Sequence, residues 1–435
     1  MGRKIQVFAI NLEERIDRFN HIGHQFFGKV EFDFSIFRCK REINGAAGLW
    51  NNIVGLVTKA KNADLDFFII CEDDHKFSKE YNYNFLIKRI QEADVNGADI
   101  LSGGVSWFRS GVRTSENLFW VNRFSGLQFT IIYKRFFETI INADFHDGEA
   151  ADLKMSDLSN NVFVMYPYIS TQKEFGYSDV TAKNNERGYV GKIFRIAHTK
   201  FSQLVQVHEY YKLIQRDDRT SVDFDDLVIP TFVISRTTFR LDSIKRQFID
   251  KAEFDLVIES CSDQGGDLSL WQAIVKIVRF AKINAEDAIV ICQEDHEFTS
   301  TYTKEVLFRN IIEGSLQGAE LLSGGTNDLG QIVQVSEDRY WINPLFTTQF
   351  LVLYSTMYDK ILKYSFKRND SVKDILTFLT SHKMLIFPFI SISRNFETPT
   401  LYVDNVNEHP EVCNFSITSL ELKRIKDVYY KYNRF

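Results

Sequence analysis

The chain has 435 residues, of which 44% are hydrophobic and 25% charged, a composition typical of a folded globular protein and unlike that of a disordered or fibrous one. Its formal net charge of −6 argues against a general nucleic-acid binder, because such proteins present a basic face to the phosphates, and against strong adhesion to anionic lipid. The five cysteines are odd in number, and Cys71 and Cys292 lie in apolar runs, so we expect buried thiols rather than a disulfide framework.

The first half of the chain alternates between strand-like and helix-like patterns. Continuous apolar runs predict strands, and apolar residues three or four positions apart predict helices. The predicted order is strand 5–10, helix 15–26, helix 45–62, strand 66–71, helix 79–95, strand 99–102 and strand 129–133. This order predicts an α/β fold with a mainly parallel sheet flanked by helices, in which ligands gather at the carboxyl ends of the strands.

The same pattern returns in the second half. Residues 70–75 and 291–296 are nearly the same, and their spacing of 221 residues holds over a long stretch. Matching pairs at this spacing are Gly45 with Gly266, Trp50 with Trp271, Ser102 with Ser323, Trp120 with Trp341, Gln128 with Gln349 and Pro167 with Pro388. Solenoid repeats are only about 20 to 50 residues long, so this period predicts two tandem globular domains.

We expect four segments: a first domain at 1–185, a helical and acidic linker at 186–227, a second domain at 228–410, and a basic aromatic helix at 411–435. That helix could rest on a membrane surface or a partner, but packing on the second domain with a solvated basic face is favoured. No apolar run approaches the length of a membrane span, and the start of the chain lacks the apolar core of a signal peptide. We therefore expect a cytoplasmic protein, at the inner face of the membrane if the last helix binds there.

Three acids directly follow the apolar strand 66–71. Glu72, Asp73 and Asp74 stand at the edge where ligands gather, and strand alternation points Glu72 and Asp74 the same way. Crowded carboxylates are costly unless a cation neutralises them, and Mg²⁺ or Mn²⁺ is usually held by one or two carboxylates, water and substrate phosphates. A solvated strand end or a helix cap is the commoner explanation of such a triplet, but its return as Gln293-Glu294-Asp295 favours a metal site.

Several segments of the first half together resemble one enzyme family. They are Asn11-Leu-x-x-Arg15-x-Asp17-Arg18, Gly45-x-x-Gly48, Phe68 to Asp74, Ser102-Gly103-Gly104, Gly126 to Tyr133, Tyr166-Pro167 and Ser178-Asp179-Val180. In this order they look like the family 25 glycosyltransferases, which include bacterial lipooligosaccharide and collagen hydroxylysine galactosyltransferases. The resemblance covers about residues 1–185 and, more weakly, 228–400.

The resemblance implies two tandem GT-A-like domains and a donor site for a nucleotide-diphosphate sugar. The residues that it places at the bound nucleotide sugar are Asn11, Arg15, Glu72, Asp73, Ser102 and Gly103. Asp74, with Glu72 or Asp73, would bind the metal, usually Mn²⁺ with Mg²⁺ as the alternative. Asp295 and Glu294 would do so in the second domain.

The resemblance also implies a base for the acceptor. Asp152 falls where the family places an acid ahead of its last strand, so Asp152 would act as general base toward the acceptor hydroxyl, with Asp157 and Glu149 close by in sequence. The family carries a histidine at the start of the second helix, and that histidine is missing from Ala46 to Asn52.

Two recurring pairs leave alternatives open. His75 and His296 could join the metal shell or contact phosphate, but a hydrogen-bonded orienting histidine is favoured. Trp120 and Trp341 could form a sugar-stacking platform, and core packing is equally favoured.

The second copy departs from the first at several of these positions. Gln293 replaces Glu72, Ser235 to Thr238 replaces Asn11 to Glu14, Thr400 replaces Asp179, and Asp374 is a candidate counterpart of Asp152. The retained Glu294, Asp295 and His296 favour some retained activity, with a different donor or acceptor. A non-catalytic partner domain is the alternative.

The function that follows is metal-dependent transfer of a hexose, with galactose favoured, from a nucleotide-diphosphate sugar to a saccharide hydroxyl in bacterial surface-glycan synthesis. Inversion at the anomeric carbon is implied, and the chain could be bifunctional. The alternative is a non-catalytic protein that binds sugar nucleotides or carbohydrate with the same fold. A metal-dependent nuclease or phosphatase is disfavoured, because the sequence shows no second cluster of His and Asp for a two-metal site.

Overall fold

The computed structural model describes residues 4–178, 182–214, 224–236, 241–262, 266–393, 400–403 and 410–432. These residues form two compact units, and the division between them falls after Val205, within a single helix. The first unit holds the residues up to Val205, and the second holds Gln206–Lys431. Within the described residues, the structure contains no helix with the length and hydropathy needed to cross a bilayer.

The first unit is a mixed sheet flanked by helices. Its strands are β1 Ile5–Leu12, β2 Phe32–Cys39, β3 Phe67–Glu72, β4 His75–Phe77, β5 Ile100–Ser102, β6 Trp107–Phe108, β7 Gly111–Arg113, β8 Leu118–Val121, β9 Phe124–Ser125, β10 Phe129–Tyr133, β11 Val162–Met165 and β12 Ser170–Gln172. Its α-helices are α1 Ile16–Phe26, α2 Gly45–Asn62, α3 Tyr83–Val95, α4 Phe137–Ile141 and α5 Ala151–Leu158, followed by α6 Tyr189–Ile214, which contains the division.

The second unit repeats this arrangement. Its strands are β13 Ile229–Ser235, β14 Phe254–Ser260, β15 Ala288–Gln293, β16 His296–Phe298, β17 Leu321–Ser323, β18 Gln331–Gln334, β19 Arg339–Asn343, β20 Phe350–Tyr354, β21 Lys383–Ile386, β22 Ser391–Ser393, β23 Thr400–Val403 and β24 Pro410–Cys413. Its helices are α7 Leu241–Phe248, α8 Gly266–Ile283, α9 Lys304–Leu316, α10 Ser355–Lys363, α11 Val372–Leu379 and α12 Phe415–Tyr432.

The two main sheets have the same strand order. The first is β2-β1-β3-β10-β5-β11-β8-β7, and the second is β14-β13-β15-β20-β17-β21-β19-β18. In each, six of the eight strands run in one direction, and β8 and β10, or β19 and β20, run against them. The predicted α/β fold, with two tandem domains of mainly parallel sheet, is confirmed. Its GT-A-like assignment remains a prediction.

Burial explains why the sequence forms these elements. Residues Phe68 to Cys71 of β3 are all buried, as expected of a strand covered by helices on both faces. Helix α2 buries Trp50, Ile53 and Val57, three or four positions apart, and its first turn is capped by the side chain of Asn44. Regular apolar spacing therefore sets both the strand and the helix that covers it.

The C-terminal helix α12 turns an apolar face inward. Phe415, Leu422, Ile425 and Tyr429 are buried, while Tyr430 is 45% exposed. This is the packed arrangement favoured by the sequence, and membrane contact by the exposed basic side of α12 remains a prediction.

Candidate active site

The acids predicted from the sequence lie at one edge of the first sheet. β1 and β3 are parallel neighbours that pair Ile10 with Glu72. Asn11, near the end of β1, and the acids at the end of β3 therefore lie at the same edge of the sheet. Glu72 ends β3, and Asp73 and Asp74 form the turn into β4. The Gln172 side chain, at the end of β12, donates to Glu72 at 3.3 Å. The fold therefore brings three neighbouring carboxyls to the end of a buried strand.

Asp73 is buried and fully engaged by neighbouring donors. Its Oδ1 accepts a hydrogen bond from Arg18 at 3.0 Å, and its Oδ2 accepts one from the Asn11 amide at 2.9 Å. The Arg15 guanidinium lies 3.8 Å from the same Oδ2. Because each oxygen is engaged, Asp73 anchors Asn11, Arg15 and Arg18, and a part for Asp73 in binding the metal remains a prediction.

Asp74 has one oxygen engaged and one open. Its Oδ2 accepts a hydrogen bond from Arg18 at 2.9 Å, while its Oδ1 is buried without a hydrogen-bond partner among the described residues. Burial raises the pKa of Asp74 to about 6, although the Arg18 charge opposes the rise. A buried carboxylate oxygen left open in this way needs a donor or a cation.

Arg18 belongs to the motif that resembles family 25, but sequence reasoning gave it no role in the site. Besides Asp73 and Asp74, it binds the Tyr177 carbonyl at 2.7 Å, and its guanidinium lies 4.8 Å from the Phe175 ring centroid and 4.6 Å from that of Tyr177. The sequence does carry a signal for Arg18. Arg18, Ile22 and Phe26 are four positions apart, and in the structure they form the buried stripe of α1. An arginine on the inward stripe of an amphipathic helix predicts a buried acidic partner.

Asp152, from a different part of the chain, interacts electrostatically with this acidic edge. It lies in the first turn of α5, where its Oδ2 accepts hydrogen bonds from the Ser125 hydroxyl at 2.5 Å and the Gly126 amide at 2.9 Å. Burial raises the pKa of Glu72 well above its ordinary value, and repulsion from Asp74, Asp152 and Asp73 adds to the rise. Asp152 therefore lies within electrostatic reach of Glu72.

The open oxygens of this edge suit a divalent cation that keeps substrate ligands. Asp74 offers a buried oxygen without a partner, and Glu72 offers a second carboxyl at the same edge. In the described part of the chain, no group of three or more His, Cys, Asp or Glu side chains forms a complete metal site. Mg²⁺ and Mn²⁺ are commonly held by one or two carboxylates and the substrate phosphates, so the residues present fit this kind of ion.

Both histidines adopt the orienting arrangement favoured by the sequence. His75 is buried, and its Nδ1 lies 2.7 Å from the Ser170 hydroxyl. Burial lowers the pKa of His75 to about 3, so the ring is neutral near pH 7. His296 makes the same contact with Ser391 at 2.7 Å.

Both tryptophans belong to the core, and the sugar-platform alternative is wrong. Trp120 is 1% exposed and Trp341 is 2% exposed, so neither ring presents a face to a sugar. Each indole donates its N–H to a main-chain carbonyl, of Asn160 at 2.8 Å and of Ser381 at 2.6 Å. A tryptophan before a polar residue looks the same in sequence whether its ring faces the core or a ligand.

Ser102 and Gly103 are packed into the sheet. Ser102 is buried, and its hydroxyl donates to the Gly104 carbonyl at 2.8 Å. A Cβ at position 103 would lie 2.8 Å from the Phe129 ring, so close packing by itself explains that glycine. Their expected contact with the nucleotide remains a prediction.

The second unit keeps half of the acidic arrangement. Glu294 accepts hydrogen bonds from the Ser235 hydroxyl at 2.8 Å and the Arg236 amide at 3.0 Å. Asp295 accepts one from Ser393 at 2.5 Å and leaves its Oδ1 buried without a hydrogen-bond partner among the described residues. Gln293, which replaces Glu72, donates to Thr348.

The other half has changed in the second unit. Helices α5 and α11 are 221 residues apart, so the equivalent of Asp152 is Lys373. Asp374, the candidate counterpart from the sequence, is the next residue and is exposed, so that assignment is wrong by one position. Asp179 and residues 237–240 lie outside the described residues, as does the side chain of Thr400.

Comparisons with known proteins give distant structural similarities. No protein-family model matches the chain. No curated protein matches its sequence either. Similar solved structures include A197 from STIV, at 13% identity over 39% of this chain and 84% of that chain with a TM-score of 0.26. Apo UDP-glucose pyrophosphorylase is similar at 12% identity over 46% and 81%, with a TM-score of 0.26. The mannosyltransferase PcManGT from Pyrobaculum calidifontis, in complex with GDP-Man and Mn²⁺, is similar at 10% identity over 44% and 64%, with a TM-score of 0.26. These identities and TM-scores are too low to carry an argument about function.

Proposed function

We propose that the chain is a metal-dependent glycosyltransferase whose active site lies in the first unit. The observation that carries this proposal is the pair of carboxyls, Glu72 and Asp74, at the end of one strand, with a buried oxygen of Asp74 left open. Asp152, held on helix α5, lies within electrostatic reach of Glu72. Carboxyls crowded in this way fit a cation and an anionic substrate. The resemblance to family 25 glycosyltransferases supports a nucleotide-diphosphate sugar as that substrate.

The donor side of the site consists of Asp74, Glu72, Asn11 and Arg15. Asp74 through its Oδ1 and Glu72 would hold the metal, which when bound offsets the charge of the departing nucleoside diphosphate. Asp73 fixes Asn11 and Arg15 beside this position through its two engaged oxygens. Arg15 adds a positive charge near the donor phosphates.

Asp152 serves the acceptor side. Its carboxylate is held by three N–H or O–H donors, with the Leu153 amide on Oδ1 at 2.9 Å as the third. The single donor on Oδ1 leaves lone-pair capacity there for the proton of an acceptor hydroxyl. Removal of that proton would let the acceptor oxygen attack the anomeric carbon from the face opposite the diphosphate.

The sugar and acceptor classes rest on the resemblance. A hexose, with galactose favoured, Mn²⁺ with Mg²⁺ as the alternative, an inverting outcome, and a saccharide acceptor in bacterial surface-glycan synthesis all belong to this proposal. Product that retains the donor anomer would contradict the inverting mechanism.

The second unit does not carry out this reaction under the proposal. Gln293 replaces an acid and contributes no charge, and Lys373 stands where Asp152 would take a proton. We therefore propose the non-catalytic alternative for the second unit, in place of the retained activity expected from Glu294, Asp295 and His296. In this unit Glu294 binds the Ser235 hydroxyl and the Arg236 amide, Asp295 binds Ser393, and His296 contacts Ser391.

The test is a screen of nucleotide sugars for Mn²⁺-dependent release of nucleoside diphosphate. Wild type is compared with Asp74→Ala and with Asp295→Ala, which makes the same change at the matching position of the second unit. We expect Asp74→Ala to abolish release and Asp295→Ala to retain it.

Two other outcomes would replace the proposal. If each variant lost the signal of a different donor, the chain would hold two enzymes acting in series. Measurable binding of a nucleotide sugar without product, for every donor and metal, would favour the non-catalytic alternative.

A further inference from the structure

The environment of Asp152 is built by a short two-stranded sheet. β6 and β9 pair Trp107 with Ser125, and the Ser125 carbonyl accepts bonds from the Ser106 amide at 2.9 Å and the Ser106 hydroxyl at 3.1 Å. These bonds fix the main chain of Ser125. Its hydroxyl can then meet Asp152 at 2.5 Å, the short distance typical of a charge-assisted bond to a carboxylate.

Gly126 supplies the second donor to the same oxygen of Asp152, and its backbone conformation requires glycine. Its φ is +111°, in the region that favours glycine, and a Cβ there would lie 2.8 Å from the Gln128 side-chain oxygen. This backbone directs the Gly126 amide to the same Oδ2 at 2.9 Å. Two donors from consecutive residues therefore fix one oxygen of the carboxylate.

The second unit shows that this arrangement is not needed for the fold. At a spacing of 221 residues, Phe346 stands for Ser125, Thr347 for Gly126 and Lys373 for Asp152, and Gln293 stands for Glu72. The strand order of the main sheet is nevertheless the same in both units. Ser125, Gly126 and Asp152, which are hydrogen-bonded to one another in the first unit, have thus changed together, and Glu72 has changed with them. This indicates that these residues serve chemistry rather than folding.

We infer that Ser125 is a positioning residue, which with the Gly126 amide holds the Asp152 carboxylate in place for the acceptor. The inference rests on the proposed function. A second donor on the same oxygen restricts rotation of the carboxylate, and small displacements of a reacting group cost rate rather than substrate binding. Ser125 therefore acts through Asp152 and touches neither the donor nor the acceptor.

The kinetic test is a double-mutant cycle in the full chain. Ser125→Ala should lower kcat by roughly tenfold to a hundredfold with the donor KM unchanged, and Ser125→Thr, which keeps the hydroxyl, should recover most of it. In the Asp152→Ala background, Ser125→Ala should cost nothing more, because its partner is already absent. Ser106→Ala is the matched control, since it removes only the hydroxyl bond to the Ser125 carbonyl and keeps the bond from the Ser106 amide, so kcat should stay near wild type.

The contrary results are equally defined. An equal loss from Ser125→Ala with and without Asp152, or an equal loss from Ser106→Ala, would overturn the inference. Crystal structures of Ser125→Ala and Ser106→Ala decide it without activity. The Asp152 carboxylate should leave its place only in Ser125→Ala, and an unmoved carboxylate would reject the positioning role. A wild type that turned over no nucleotide sugar would reject the proposed function, but a displaced Asp152 would still support the positioning role.

Discussion

Arg18 connects the acidic edge to the rest of the first unit. Its guanidinium bridges Asp73 and Asp74, and the Phe175 and Tyr177 rings lie against it. The Arg18 and Asp73 side chains are only 6% and 5% exposed, so their charges are paired away from water. Removing one partner of such a pair leaves the other charge buried, which costs far more than loss of a surface pair.

We therefore expect Arg18→Ala to destabilise the protein strongly. The expected loss is about 3 kcal/mol, near the lower end of the range for a broken buried pair, because Asn11 still bonds Asp73. Arg123→Ala is the matched control, since its partner Asp157 is 55% exposed and the loss should stay below about 1 kcal/mol. Urea unfolding of both variants measures the difference, and equal losses would mean that Arg18 is not the anchor of Asp73.

Lys383 is a buried cation whose counterpart in the first unit, Val162, is apolar. It is 1% exposed, and its ammonium donates to the carbonyls of Thr377 and Thr380. Burial lowers the pKa of Lys383 to about 8. The unfolded chain thus keeps this proton up to the ordinary lysine pKa, about 10.4, while the folded chain releases it earlier.

The sign of the resulting pH dependence follows from proton binding. Between about pH 8 and 10.4 the unfolded state binds more protons than the folded state at Lys383, so its contribution to the free energy of unfolding rises with pH in that window. Lys383→Val should remove that rise, roughly 3 kcal/mol at most. Urea unfolding at pH 7.5, 9 and 10 measures it. Parallel pH curves for variant and wild type would show that Lys383 titrates normally.

At the scale of elements, the sequence predicts what regular apolar spacing dictates. Helix 45–62 and strand 129–133 were predicted with the bounds that the structure has. The short strands β6 to β9 were not predicted, because most of their residues are buried and no alternation of buried and exposed residues marks them. Asp152 is held by Ser125 at the end of β9 and by Gly126 after it, so this part of the site could not be predicted from the pattern.

The backbone at Gly104 lies against the start of β12, and this close approach predicts the effect of a substitution there. A Cβ on Gly104 would lie 2.3 Å from the Ser170 carbonyl oxygen, where β12 begins, so Gly104→Ala must push the strand away. We expect a loss of roughly 2 kcal/mol or more. Gly55→Ala in α2 is the control, since nothing lies within 4 Å of its Cβ, and it should be neutral or stabilising by up to about 1 kcal/mol. Thermal unfolding compares the two, and a neutral Gly104→Ala would contradict the close approach.

At the scale of the whole molecule, the sequence predicted the repetition but not the division of labour. The spacing of 221 residues and the return of the acids are visible without a structure. Asn11 and the acids Glu72 to Asp74 are far apart in sequence, and the pairing of β1 with β3 brings them to the same sheet edge. The place of Asp152 also depends on its bond from Ser125, which no sequence pattern shows. Likewise, the correct counterpart of Asp152 depended on the bounds of α5 and α11, since a shift of one residue selects Asp374 instead of Lys373.

The second unit supplies its own control for the first. Glu72→Gln with Asp152→Lys gives the first unit the residues that the second unit carries at Gln293 and Lys373. Because the second unit folds with those residues, we expect the thermal unfolding temperature to stay near wild type while release of nucleoside diphosphate falls by about a thousandfold, within the range for loss of a general base. The reciprocal change Gln293→Glu should leave release unaltered. Turnover that survived the double change would place the reaction outside the acidic edge of the first unit, and a large fall in unfolding temperature would mean that these acids also serve the fold there.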